Sequence, residues 1–344
     1  MKKQNTCMMG NIKLAVLLFA LFVAVEGASQ TPRAYAVWTE GDKTLTFFVS
    51  VLNYYPGDMY GDQRITKLWK GDAVLNTPPD NTAPWCSTVR AVVENVVFDP
   101  SFASARPTST AWWFENYSDT QASEASGASL KHIYGIEYLN TSEVTSMYSM
   151  FYGCSGLTEL DVSHFDTHNV TNMSWMFAGC RGLRTLDVSH FETSMVINMS
   201  FMFQGCWGVL WLDVDKFDTG NVCDMSYMFS DCNNLRILDV ANFKTGNVTD
   251  MSNMFSFCYS LTDLDVSQFR TGLVEDMSWM FACCAGLSVL DVKKFDTHNV
   301  VDMNNMFADC TNLIFVDTRH FYTVRRCDRD DMFAGCGMLA KLTY

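Results

Sequence analysis

The stretch that decides the fold is LDVSHFDTHNVTNMSWMFAGCRGLRT, residues 160–185, because its pattern recurs along the chain every 26 residues. Repeats of this length indicate small structural units that bury a common core only by stacking on one another. A phenylalanine holds one fixed position of the repeat. Its occurrences are Phe151, Phe177, Phe203, Phe229, Phe255, Phe281, Phe307 and Phe333. Methionine precedes each of these phenylalanines, and cysteine follows each of them three residues later.

Each repeat is predicted to contain one strand and one short helix. Leu183, Leu186 and Val188 form the pattern L-x-x-L-x-V, which is typical of a short strand with one buried face. The helix is predicted from apolar residues at the spacing i, i+3, i+4, i+7 of one helix face. In the repeat quoted above they are Met173, Met176, Phe177 and Cys180. Asn172 is predicted to be the N-cap and Gly182 the left-handed residue that ends the helix.

The predicted fold class is therefore an α/β solenoid. It is a right-handed, leucine-rich-repeat-like stack of strand–short-helix units, with an N-terminal β cap in front. The internal ladder is predicted to consist of the recurring methionine, phenylalanine and cysteine positions. In two successive repeats these are Met176, Phe177, Cys180, Met202, Phe203 and Cys206.

Four segments are predicted along the chain. Residues 1–27 are predicted to be a signal peptide, and residues 28–96 the N-terminal β cap, which contains a hairpin over residues 34–51. Residues 97–133 form one decayed repeat with an inserted loop at 119–129. Residues 134–341 form eight repeats, of which the last is a polar C-terminal cap.

Charge and hydrophobicity indicate an exported protein. Lys and Arg total 24 and Asp and Glu total 38, for a net charge of −14, so a nucleic-acid-binding role is not expected. Residues 14–25 form an apolar run after Lys2, Lys3 and Lys13, and cleavage is predicted after Gly27. No later run is apolar and long enough for a transmembrane helix, which needs about 20 residues. The expected location is outside the cell or on its surface.

The repeat resembles a known family. The motif LDVSxFDTxNVxDMSxMFxxCxxL, seen with minor changes at residues 238–261, is similar to the 26-residue repeat of the BspA-like leucine-rich-repeat surface proteins of bacteria. The similarity extends over about residues 134–341, and residues 96–102 and 109–114 resemble the entry region of such proteins. The resemblance implies an exported or surface-displayed scaffold for adhesion or recognition, without catalytic activity. Some members of the family adhere to host matrix proteins or to other cells.

Two sets of side chains are predicted to contact a partner. The first consists of aromatic residues that share one position of the repeat, where a helix residue would point away from the core. They are Trp175, Phe201, Tyr227 and Trp279. Packing between neighbouring helices is the alternative role for them. The second set is a column of aspartates, namely Asp161, Asp187, Asp213 and Asp239. Solvation with turn hydrogen bonds is the expected state of this column, and a calcium ladder is the alternative.

No catalytic, metal or cofactor site is predicted. The cysteines of the ladder share the apolar face and are expected to be free and buried. Ser163, His164 and Asp161 are adjacent only in sequence and are not expected to form a catalytic triad. His164 and His190 lack a third fixed ligand for a metal ion. The threonine that recurs every 26 residues, as at Thr167, is expected to make a turn or cross-strand hydrogen bond.

The expected function is recognition of an extracellular protein or glycan through exposed repeat surface. Two alternatives remain open at this point. The first is a structural, self-assembling element of the cell surface, and the second is an enzyme that acts on envelope glycans. The enzyme alternative requires a fixed acid/base pair in a cleft, which a repeated sequence does not supply. The sequence indicates neither the partner nor the oligomeric state.

Overall fold

A computed structural model describes residues 31–76, 83–115, 130–323 and 326–339. The predicted signal peptide and the predicted loop at 119–129 lie outside the described residues. The strands are β1 (Arg33–Thr39), β2 (Thr44–Ser50), β3 (Met59–Tyr60), β4 (Gln63–Arg64), β5 (Lys67–Lys70), β6 (Asn95–Phe98), β7 (His132–Tyr134), β8 (Trp211–Leu212), β9 (Ile237–Leu238), β10 (Val289–Leu290) and β11 (Phe315–Val316). The α-helices are α1 (Asp72–Leu75) and α2 (Cys86–Val89), and 3-10 helices span Pro100–Ser104 and Ile136–Tyr138.

The N-terminal region forms one sheet of five strands in the order β5-β1-β2-β6-β7. β1 and β2 are antiparallel with Thr39 opposite Thr44, which confirms the predicted hairpin. β2 pairs with β6 and β6 with β7 in parallel, so the sheet changes from hairpin pairing to the parallel pairing of the later chain. The sheet extends on both sides of the predicted segment boundary at residue 96.

Consecutive repeats are joined by a ladder of isolated parallel bridges, at positions 26 residues apart from Ser146 onward and 37 residues apart between Ser109 and Ser146. The bridged residues, in order, are Ser109, Ser146, Asn172, Asn198, Asp224, Asp250, Asp276, Asp302 and Asp328. Beside each bridge, alternate backbone N–H groups of one repeat donate to carbonyls of the next. The N–H of Trp175 donates to the Ser200 carbonyl over 3.0 Å, and that of Phe177 to the Met202 carbonyl over 2.9 Å.

The predicted α/β solenoid of strand–short-helix units is wrong. Among the described residues the only α-helices are α1 and α2, and both precede the repeats. The repeats consist of turns, isolated bridges and two small parallel sheets, β8–β9 and β10–β11, rather than one continuous sheet with a helical layer. The predicted helix N-caps are the bridged residues of the ladder.

The sign of φ explains why no helix forms. Trp175, Phe201 and Tyr227 have φ of 61°, 59° and 58°, in the left-handed region, and the same position is left-handed in the later repeats. A left-handed residue cannot continue a right-handed helix. The chain instead makes tight turns, such as the bond from the Met176 N–H to the Met173 carbonyl over 3.2 Å. The second left-handed residue is Gly179, not the predicted Gly182.

Glycine and alanine variants of Phe201 test this backbone geometry. Both Phe201→Gly and Phe201→Ala remove the ring, but we expect the glycine variant to be more stable by about 1 kcal/mol, because alanine is strained at positive φ. A helix would reverse the order by a similar amount. Urea unfolding of both variants measures the difference. Gln204, three residues later and without positive φ, is the matched control, at which alanine should be at least as stable as glycine. Greater stability of Phe201→Ala would contradict the turn geometry.

The interior contains rows of identical side chains. Met176, Phe177 and Cys180 are fully buried, as are their equivalents one repeat later, Met202, Phe203 and Cys206. Phe177 and Phe203 stack with ring centroids 5.8 Å apart and planes within 8°. Rings at this position stack from Phe151 to Phe333, and Phe114 extends the row at the N-terminal end. The row continues from one repeat to the next as a single hydrophobic core.

Each cysteine of the interior is free and donates a hydrogen bond to the preceding repeat. The Cys180 thiol donates to the Phe151 carbonyl over 3.2 Å, and the Cys206 thiol to the Phe177 carbonyl over 3.3 Å. Burial raises the pKa of Cys206 to about 12, so the thiol stays protonated and keeps its donor. All cysteines of the described residues are free, as expected from the sequence.

The recurring threonine links neighbouring repeats through its hydroxyl. Thr219 is buried, donates to the Lys244 carbonyl over 3.2 Å and accepts from the Lys244 N–H over 2.7 Å. Thr167 makes the same two bonds with Glu192. The expected hydrogen bond of the threonine column is therefore confirmed as a bond between repeats. It fixes the register of neighbours, because one hydroxyl satisfies two backbone groups.

Candidate functional site

Three of the predicted aromatic residues stack on one another. The Trp175 and Phe201 rings are 3.8 Å apart with planes within 9°, and the Phe201 and Tyr227 rings are 4.3 Å apart within 7°. All three are partly buried. The contacts are between ring faces. Trp279 is also partly buried, and the same position holds Asn253 one repeat before it.

The predicted aspartate column makes local turn hydrogen bonds. Asp161 accepts from the Ser163 N–H over 2.9 Å, and Asp187 accepts from both the N–H and the hydroxyl of Ser189. The serine hydroxyl and then the N–H lower the pKa of each carboxyl. Asp213 and Asp239 accept from the N–H two residues later in the same way. The expected turn bonds are therefore present in this column.

A second acidic row lies in the bridge ladder. Asp224, Asp250 and Asp276 hold consecutive bridged positions, where Asn172 and Asn198 stand in earlier repeats. Burial raises the pKa of Asp250, and the neighbouring carboxylates Asp276 and Asp224 raise it further. Each of the three accepts the N–H of the serine two residues later, so these carboxylates act as turn acceptors.

His164, His168 and His190 line a surface depression of about 370 Å³. The His190 Nε2 donates to the Val162 carbonyl over 2.9 Å. Ser163 Oγ is 3.3 Å from His164 Nδ1, while Asp161 bonds to the Ser163 backbone, so Asp161 does not orient the imidazole as a triad requires. Within the described residues no group of three or more His, Cys, Asp or Glu side chains is placed to bind a metal ion.

One exposed row was not singled out in the sequence. It lies at the position just before the buried strand leucine, and it contains Trp211, Ile237, Val289 and Phe315, which are 46%, 69%, 54% and 54% exposed. Trp211 pairs with Ile237 in the β8–β9 register, and Val289 with Phe315 in β10–β11. We call these four residues the exposed apolar row. The sequence did contain a signal that this position is exposed, because other repeats hold the polar residues Glu159, Thr185 or Asp263 there.

Comparison with known proteins places the chain in a family. A family model described as "Mycoplasma protein of unknown function, DUF285" matches residues 120–235, 206–320 and 260–341. Together these matches span well over half of the chain, and the protein belongs to this family. Neither the curated proteins nor the solved structures contain a significant match.

No helix within the described ranges is both long and apolar enough to cross a bilayer.

Proposed function

We propose that the protein is an exported, non-catalytic recognition scaffold, which binds an extracellular protein or glycan through exposed residues of its repeats. The exposed apolar row is the observation that carries the proposal. Large apolar side chains concentrated on a surface mark interaction sites, and aromatic residues are enriched in interface cores. Packing does not require them here, because Glu159, Thr185 and Asp263 occupy the same position in other repeats.

Export is proposed from the N-terminal sequence. Basic residues precede the apolar run at 14–25, and small residues precede the proposed cleavage after Gly27. The resemblance of the repeats to the BspA-like surface proteins supports the same location and an adhesive role. The candidate partner contacts beside the exposed apolar row are the aspartate column and the partly buried aromatic residues Trp175, Phe201, Tyr227 and Trp279.

Removing the exposed apolar row tests the proposed function. In the test variant, Trp211, Ile237, Val289 and Phe315 are all replaced by Thr, the residue that Thr185 places at the same position. Both proteins are applied to an array of extracellular matrix proteins and glycans. We expect the unchanged protein to bind a member of the array and the variant to lose at least about tenfold in affinity, with nearly the same melting temperature.

Two outcomes would count against the recognition function. Binding that is unchanged in the variant would move the interaction away from the exposed apolar row. The absence of binding to the whole array, combined with filaments of the purified protein in electron micrographs, would favour the self-assembling surface element.

A further inference from the structure

Three arginines lie close in the repeat to the first part of the exposed apolar row. Arg184 and Arg236 hold the same repeat position, one repeat before and one repeat after Leu210, the residue next to Trp211. The Arg236 N–H donates to the Leu210 carbonyl over 2.9 Å, which places this backbone directly beside that of Leu210. Arg181 lies three residues before Arg184. We call Arg181, Arg184, Arg236 and Trp211 the arginine–tryptophan patch.

The charged groups of the patch are available to a ligand. Arg181, Arg184 and Arg236 are exposed. Across the described part of the chain, none of them is within salt-bridge distance of a carboxylate. The Arg181 guanidinium stacks over the Trp207 ring at 4.0 Å, which holds it at the surface.

The apolar part of the patch is equally open. Trp211 is 46% exposed and stacks on no other ring of the described residues. This separates it from Trp175, Phe201 and Tyr227, whose ring faces are occupied. Leu210 and Ile237 are 47% and 69% exposed and lie beside it. Together they supply an apolar surface beside the position that Arg184 and Arg236 share.

Carboxylates limit the length of the patch. At the repeat position of Trp211, Glu159 stands two repeats before it and Asp263 two repeats after it. The run of arginine and apolar side chains therefore covers three repeats, and Asp187, Asp213 and Asp239 of the aspartate column border it two residues further along the chain. With neighbouring strands about 4.8 Å apart, the distance from the first of these repeats to the third is about 10 Å. This length suits a short segment of a partner rather than a broad flat surface.

We propose that the arginine–tryptophan patch binds an acidic segment of a partner protein, with an apolar side chain of that segment against Trp211 and its carboxylates on Arg184 and Arg236. The inference rests on the proposed function and specifies its partner. Trp and Arg are the residues most enriched in protein-binding hot spots, and Arg pairs with carboxylates through two parallel bonds. The exposed Leu210 and Ile237 favour a protein over a sugar, because they add apolar contact without polar groups for hydroxyls.

The test selects ligands without assuming their identity. The full chain is immobilised and a phage library of random 12-residue peptides is panned against it. The most enriched peptide is synthesised and its affinity is measured by surface plasmon resonance. We expect the enriched peptides to combine Asp or Glu with a large apolar residue. Their affinity should fall as salt is raised, because the carboxylates bind exposed arginines.

Matched variants locate the binding. Arg184→Thr with Arg236→Thr, and separately Trp211→Thr, introduce the residue that Thr158, Thr262 and Thr185 place at these positions. We expect each variant to lose affinity for the peptide by about tenfold or more. The control is Lys216→Asn with Lys294→Gln, which lowers the net charge equally and uses residues found at that position in Asn242 and Gln268. The control should stay within about twofold.

The remaining outcomes overturn the inference. Enriched peptides without acidic residues, or equal losses in the control and the arginine variant, would show that the patch does not read a partner's carboxylates. Binding of polyuronate chains that depends on Trp211, with no peptide enriched, would assign the patch to an acidic glycan and leave the recognition function standing. Binding that is found on the array but is unaffected by the arginine and Trp211 variants would reject this partner and this patch alone.

Discussion

Replacing Phe203 by alanine is expected to lower the free energy of unfolding by about 3–5 kcal/mol. The ring is fully buried and lies between two others, 5.8 Å from the Phe177 centroid and 5.7 Å from the Phe229 centroid. Alanine leaves a cavity that neighbouring repeats cannot fill, because both are held in register by backbone and threonine bonds. Since each repeat is stabilised by its neighbours, the loss weakens the contacts on both sides of the site. Chemical denaturation followed by circular dichroism measures the effect.

Phe315 provides the matched control for this substitution. It is the same residue type but 54% exposed in the exposed apolar row. Phe315→Ala should change the free energy of unfolding by no more than about 0.5 kcal/mol, because surface substitutions away from buried contacts are nearly neutral. Equal losses at Phe203 and Phe315 would contradict the interior ring row.

The interior thiols are expected to react at least about a thousandfold more slowly than the exposed one, because modification requires the repeat to open. Cys223 is exposed, Cys283, Cys327 and Cys336 are partly buried, and the remaining described cysteines are buried. Burial also raises the pKa of Cys180 well above its usual value, so the reactive thiolate is scarce in the folded protein at pH 8. Buried thiols should therefore become reactive only on unfolding.

The measurement uses an aromatic disulfide reagent at pH 8, with Cys7 replaced by Ser in every sample. Absorbance gives the rate of each phase, and mass spectrometry of digested protein assigns the labelled residues. Cys223→Ser should abolish the fast phase and leave the others unchanged. Labelling of Cys180 or Cys206 in native protein at the rate of Cys223 would contradict the burial of these thiols. Recovery of either residue in a disulfide would contradict its free state.

The 26-residue period predicted which side chains are buried in the interior, but it did not predict the backbone conformation of the repeats. The positions of Met176, Phe177 and Cys180 followed from comparing repeats with one another, because packing against identical neighbours keeps an apolar side chain constant. The same spacing was interpreted as a helix face. Successive tight turns also bring those side chains to one side, so the apolar spacing alone does not distinguish the two structures.

The residue types at the left-handed position of most repeats gave no indication that the backbone makes a tight turn there. Trp175, Phe201 and Tyr227 are bulky side chains that rarely adopt positive φ, so nothing in them suggests it. Asn253 and Asn305, at the same position, are the residue type that tolerates it and were the available signal. The bonds of Trp175 and its equivalents to the next repeat hold this conformation, and such bonds cannot be read from one repeat.

The candidate recognition surface was only partly predictable. The aromatic residues were selected on the assumption that the middle of a helix points outward, and the turn instead stacks three of them together. Trp211 and Ile237 directly precede the buried Leu212 and Leu238, and period-2 alternation would have placed them on the open face. The sequence could not show that Arg181, Arg184 and Arg236 form no salt bridge with the described residues, because salt bridges depend on side-chain positions across repeats.

The threonine hydroxyls that tie each repeat to the next have a consequence for how this protein changes in length. Gain or loss of a whole 26-residue block leaves every junction chemically the same, whereas one residue inserted between a threonine and its partner displaces that hydroxyl from its backbone groups 25 residues later. Descendants of one ancestral gene are thus free to lengthen or shorten in fixed increments. The number of repeats then sets the distance between a binding residue such as Trp211 and the N-terminal sheet.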